Sequence, residues 1–121
     1  MKAIEIAFVG YPVTDLARAR RFYEGTLGLQ VTHSFGGEDT AWIEYDIGPH
    51  TLAIGNGMAD WQPSPQGATA ALEVDDFDEA LERIKRDGVP VAFGPEETPV
   101  CRMIGVSDPD GNTLIIHKRK G

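Results

Sequence analysis

Ser107-Asp108-Pro109-Asp110-Gly111-Asn112 stands between two apolar runs, Cys101-Arg102-Met103-Ile104-Gly105-Val106 before it and Thr113-Leu114-Ile115-Ile116-His117 after it. Proline fixes φ, and Gly or Asn accepts positive φ at little cost, so the six residues read as a tight turn. Two β-prone runs joined this way predict an antiparallel hairpin. Pairing Ser107 with Thr113 puts Met103 opposite His117 and Cys101 diagonal to it. Strand alternation then places Thr113, Ile115 and His117 on one face, with Leu114 and Ile116 on the face that a helix covers.

Upstream, the same grammar appears twice. Ile4 to Tyr11 alternates as a strand, with Ile4, Ile6 and Phe8 on one face. Asp15 is placed to cap a helix running from Leu16 to Glu24, whose apolar stripe is Leu16, Ala19, Phe22 and Tyr23. Gly25 and Gly28 end it. Strands are expected over Leu29–Phe35, Thr40–Ile47 and Thr51–Gly55, and the Pro-containing stretch from Asn56 to Gln66 reads as a linker. The pattern then restarts. Ala68 to Val74 is a strand. Asp76 and Glu79 form a capping-box-like pair before a helix with Phe77, Ala80, Leu81 and Ile84 as its stripe. Gly88 stops it, Val89 to Phe93 is a strand, and Pro95 to Pro99 is a loop leading to the hairpin. The equivalence of Asp15 with Asp76, and of Gly28 with Gly88, marks an internal repeat of about 60 residues. The expected fold is α+β: two βαβββ modules, about 1–56 and 67–121, in one domain. They form a curved mixed sheet around a cleft, with the helices on the outer face.

Bulk properties exclude several function classes. The chain of 121 residues carries a net charge of −8, which disfavours nucleic acid, because phosphate binding needs a basic face. No apolar run is long enough to span a bilayer. Glu5 interrupts the apolar start, so no signal-peptide layout is present. The single cysteine forms no internal disulfide and suits a reducing cytoplasm.

Pro12-Val13-Thr14-Asp15-Leu16 through Phe22-Tyr23 and Leu27-Gly28-Leu29 resembles the first-module signature of the vicinal oxygen chelate superfamily. That superfamily includes glyoxalase I, extradiol dioxygenases, and the fosfomycin- and bleomycin-resistance proteins. Ser107 to Asn112 resembles its second-module signature, and Leu72-Glu73-Val74-Asp75-Asp76 through Gly88-Val89 fits between them. The resemblance covers essentially the whole chain. It implies the fold, and it implies a divalent metal held by His, Gln or Glu at four strand positions. Here those positions are Phe8, Ile54, Thr69 and Ile115. Phe and Ile offer no lone pair, and a lone Thr is a poor ligand. The expectation is therefore no metal and no cofactor.

Other side chains supply the candidate chemistry. His33 and His50 read as surface histidines. His117 and Cys101 share a strand face at a cross-strand diagonal of roughly 7–8 Å, so a thiolate and its base are conceivable as a catalytic pair. An inert buried thiol near a histidine is the plainer alternative. A catalytic pair needs an orienting third group, and the loop Glu96-Glu97-Thr98-Pro99-Val100 is where one is sought. Trp42, Glu44 and Asp46 alternate with Ile43, Tyr45 and Ile47, and either set can face inward. Trp42 and Trp61 suit stacking on a flat ligand. Glu73 falls on the inward parity of its strand, with Thr69 and Ala71.

The resulting expectation is a metal-independent small-molecule binding protein. Its mainly apolar cleft is lined by Phe8, Trp42, Ile54, Thr69, Glu73, Met103 and Ile115. Its partner is a small organic ligand, and it forms a homodimer. The alternative is a lyase or dioxygenase of the same superfamily, with relocated metal ligands or a Cys101/His117 centre.

Overall fold

A computed structural model describes all 121 residues. It divides into two units, Met1–Pro63 and Ser64–Gly121.

In the first unit the strands are β1 (Val9–Pro12), β2 (Val31–Gly36), β3 (Ala41–Ile47) and β4 (His50–Gly55). They form one mixed sheet in the order β1-β4-β3-β2, with β1 parallel to β4 and the other pairs antiparallel. β1 starts at Val9, later than its alternation suggests. Its parallel ladder with β4 begins at the Val9–Leu52 pair, and the residues before Val9 are not paired in the sheet. Ile4 and Ile6 consequently lie exposed.

The helix α1 (Leu16–Arg20) starts at Asp15, whose carboxylate accepts the Arg18 N–H at 3.0 Å. It continues from Arg21 to Thr26 as a π-helical turn, closed by the bond from Leu27 N to Phe22 O at 3.0 Å. The wider turn lets two consecutive aromatic residues, Phe22 and Tyr23, both bury against the sheet. Tyr23 stacks on Tyr45 with centroids 6.2 Å apart. Tyr11, Ile43, Tyr45, Leu52 and Ile54 complete that core. Gly28 ends the segment at φ 71°, a conformation that favours glycine.

The second unit repeats the plan. Its strands are β5 (Ala70–Glu73), β6 (Val91–Glu97), β7 (Cys101–Ser107) and β8 (Thr113–Arg119), ordered β5-β8-β7-β6 with β5 parallel to β8. The helix α2 (Phe77–Arg86) is capped by Asp76, which accepts the Glu79 N–H at 3.0 Å. Phe77 and Ile84 bury with Ile104, Val106, Leu114 and Ile116. β6 runs on through Pro95 to Glu97, where a loop is expected, because two register shifts let it stay paired with β7.

The hairpin has the expected register: Ser107 pairs with Thr113, Met103 with His117, and Cys101 with Arg119. Its turn is held by Asp108, which is 2 % exposed. Oδ1 accepts the N–H groups of Asp110 and Asn112, each at 2.9 Å, and Oδ2 accepts Asn112 Nδ2 at 2.8 Å. Asn112 Oδ1 in turn accepts the Ser64 N–H at 3.2 Å, tying the start of the unit to the turn. The architecture is thus α+β, with two four-stranded mixed sheets and one helical segment packed on one face of each.

Candidate functional site

Each sheet has a helix-covered face and an open face, and the open faces carry most of the polar and aromatic side chains singled out in the sequence. In the first unit, Ile43 pairs with Ile54 and Tyr45 with Leu52, and all four are buried on the helix side. Strand alternation sends Trp42, Glu44 and Asp46 to the open side. This decides the orientation of β3. It also places Ile54 in the core, fully buried, rather than on the open face; every residue from Leu52 to Ile54 is apolar, so composition gives no parity there.

Trp42 is the centre of the open face. Trp61 stacks beside it with centroids 5.9 Å apart and planes 28° apart, and the Phe8 ring meets it edge-on at 5.4 Å and 81°. Two glycines make room for the indoles. A Cβ on Gly55 would come within 2.8 Å of Trp42 Cε3, and one on Gly10 within 3.2 Å of Trp42 Cη2. Both would also touch Trp61, at 3.4 Å each. The rings therefore lie directly on bare backbone. Trp42 Nε1 donates to Glu44 Oε2 at 2.8 Å, which fixes the carboxylate at the rim of the indole. His33 Nδ1 stands 3.6 Å from Glu44 Oε1, and the His33 ring is stacked beside Phe35.

The open face of the second unit carries a different group. Glu73 pairs with His117 across the parallel ladder, and its Oε1 lies 2.6 Å from His117 Nδ1. Its Oε2 accepts the Arg119 N–H at 2.7 Å. The Arg119 amide first, and His117 second, hold the Glu73 carboxyl below the usual carboxylate range. Ile115 and Met103 share this face by register: Ile115 lies between Ala71 and Gly105, and Met103 lies opposite His117. Thr69 is exposed just before β5.

Cys101 and His117 have different partners. Cys101 is buried, and its Sγ lies 3.2 Å from Thr98 Oγ1, which also accepts the Cys101 N–H at 3.0 Å. The 96–100 loop thus supplies a hydroxyl to the thiol, not a carboxylate to the histidine. The group that orients His117 is Glu73, 44 residues away in sequence.

The positions that the resemblance assigns to metal ligands do not fit a resident divalent ion. Phe8, Ile54 and Ile115 end in carbon, Ile54 turns into the core, and Thr69 offers one hydroxyl. No group of three or more His, Cys, Asp or Glu side chains is placed to hold a metal. No helix is long and apolar enough to cross a membrane.

The sequence singled out Trp42, Trp61, Glu73 and His117 but missed the joins between them. The spacing of Trp42 and Glu44, two apart on one strand, was the signal for the indole–carboxylate bond. Gly10 and Gly55, each inside a strand, were the signal for a close approach.

Comparison with known proteins agrees with the fold. Residues 5–116 match the family model described as Glyoxalase/Bleomycin resistance protein/Dioxygenase superfamily. No protein of curated function matches the sequence. Among solved structures, TnmS3, an antibiotic binding protein from Streptomyces sp. CB03234, is 27 % identical over 99 % of both chains, with a TM-score of 0.79. A glyoxalase/bleomycin resistance protein from the same Streptomyces strain is 28 % identical over 93 % of this chain and 98 % of its own, with a TM-score of 0.74. The fosfomycin resistance protein FosX from Mesorhizobium loti shares the fold at 22 % identity and a TM-score of 0.71, over 97 % of this chain and 93 % of its own. With the family model matching residues 5–116 of the 121, the chain belongs to the glyoxalase/bleomycin resistance protein/dioxygenase superfamily.

Proposed function

We propose that this protein binds a small organic molecule reversibly, without a divalent metal, on the open face that carries Trp42, and leaves the ligand chemically unchanged. The observation that carries the reading is the Trp42–Trp61–Phe8 cluster seated on Gly10 and Gly55. An apolar surface with one fixed polar anchor is the ordinary form of a ligand site. The antibiotic-binding role of TnmS3, at 27 % identity over nearly the whole chain, supports the same class of function. The reading includes a homodimer in a reducing cytoplasm. Ile4, Ile6 and Phe35 in one unit and Val91 in the other are exposed apolar side chains that a second copy would cover.

A thermal-shift screen against metabolites and antibiotics tests this. The expected result is a hit that persists in chelator, disappears in Trp42→Ala, and is recovered with unchanged mass after long incubation. Turnover that depends on added divalent metal, or a hit indifferent to Trp42→Ala, would overturn it. Sedimentation giving a clean monomer mass would overturn the dimer.

A further inference from the structure

Resting on that reading, we propose that the ligand class is a planar organic cation, stacked on the Trp42–Trp61 surface with its charge held against Glu44. Three independent observations lead there.

The first is shape. Both indoles lie on glycine backbone, and their planes are within 28° of each other. Trp42 and Trp61 are both half-buried, which leaves part of the paired indoles open beside the half-exposed, edge-on Phe8 ring. Such a face stacks on a flat ring system and attracts positive charge through its quadrupole.

The second is the placement of one carboxylate. Glu44 Oε2 is fixed by Trp42 Nε1 at 2.8 Å, so the charge sits at the rim of the aromatic surface without having to be ordered on binding. Oε1 is 3.6 Å from His33 Nδ1, beyond hydrogen-bond length, and keeps lone pairs for a donor on the ligand.

The third is the sign of the surroundings. Asp46 shares this side of β3, while Arg18, Arg20 and Arg21 all lie on the helical segment packed against the opposite face. With a net charge of −8 on the chain, the long-range field also favours cations.

The test is calorimetric titration of the full-length protein with three planar probes of similar size: N-methylacridinium, neutral acridone and anthracene-9-carboxylate. The cation is expected to bind about tenfold tighter than acridone, and the anion more weakly than either. Glu44→Gln retains an oxygen acceptor for Trp42 Nε1 but removes the charge, so it should bring the cation to the affinity of acridone. In the unmutated protein, raising salt from about 50 to about 500 mM should weaken the cation alone. Equal binding of cation and acridone, insensitive to Glu44→Gln and to salt, would overturn charge selection and leave small-molecule binding standing. Failure of all three probes, with library hits that still require Trp42, would overturn the planar-cation class. Failure of all three, with no Trp42-dependent hit, would overturn both readings.

Discussion

Replacing Gly55 by alanine is the sharpest perturbation of the aromatic surface. The new Cβ would stand 2.8 Å from Trp42 Cε3, 3.3 Å from Cζ3 and 3.4 Å from Trp61 Cζ3. Carbon atoms at rest are about 3.5–4.0 Å apart, so Trp42 must retreat by roughly 1 Å. Trp42 is braced by Trp61 on one side and tied through Nε1 to Glu44, so it cannot retreat without loosening both. Overpacking of this kind costs about 1–3 kcal/mol, while removing a glycine from the unfolded chain returns about 0.4–1 kcal/mol. The net expectation is a loss of about 1–2 kcal/mol, or a fall in Tm of about 3–8 °C for a chain of this size. Gly25→Ala is the matched control. A Cβ there meets nothing within 4 Å and the residue is helical, so a gain of about 0.5–1 kcal/mol is expected. Differential scanning calorimetry reads the two Tm values. Circular dichroism reads the exciton signal of the stacked tryptophan pair, which should fall in Gly55→Ala and persist in Gly25→Ala. If Gly55→Ala raises Tm like its control and keeps the exciton signal, the indoles do not rest on that backbone and the reasoning fails.

Other consequences follow from the same contacts. Burial first, and then the bond from Tyr45 Oη to Glu24 at 2.9 Å, raise the Tyr45 pKa well above 10. The unfolded chain releases this proton above about pH 10 and the folded chain does not, so Tyr45 contributes stability that is whole below that pH and declines above it. Tyr45→Phe should cost about 1 kcal/mol at pH 7 in urea titrations, and its deficit should shrink as pH passes 10. Asp108→Asn removes the charge that accepts three short bonds in the buried turn, and should cost about 2–4 kcal/mol by urea unfolding, with the Ser64 amide losing hydrogen-exchange protection. Cys101→Ala should leave ligand affinity within about twofold, because Thr98 rather than His117 faces the thiol.

The elements legible in the sequence are those set by local chemistry. Asp15 and Asp76 cap helices because a short acceptor at that position satisfies free amides. The Asp108–Asn112 turn fixed the hairpin register because loop length and turn residues determine strand pairing. What the sequence concealed depends on longer-range choices. In β3, Ile43, Tyr45 and Ile47 alternate with Trp42, Glu44 and Asp46; each set carries an aromatic ring, and the packing of Ile43 and Tyr45 in the core with Tyr23 sends Trp42 and Glu44 outward. In β4 the run Leu52–Ala53–Ile54 is apolar and buried on both parities, so its composition did not show that Ile54 turns into the core. The Glu73–His117 pair depends on the register of a parallel ladder between strands some 44 residues apart, which no local rule supplies. The π-turn at Arg21–Thr26 is likewise a tertiary outcome: two adjacent aromatic residues both found room in one core.

The central claim is that ligand binds on the Trp42 face. The chain has only two tryptophans, so two indole N–H signals appear in a proton–nitrogen NMR spectrum. Titrating a screened ligand should shift both signals saturably while the amides of Glu73 and His117 stay in place. Saturable shifts confined to Glu73, Met103 and His117, with both indole signals unmoved, would contradict the account.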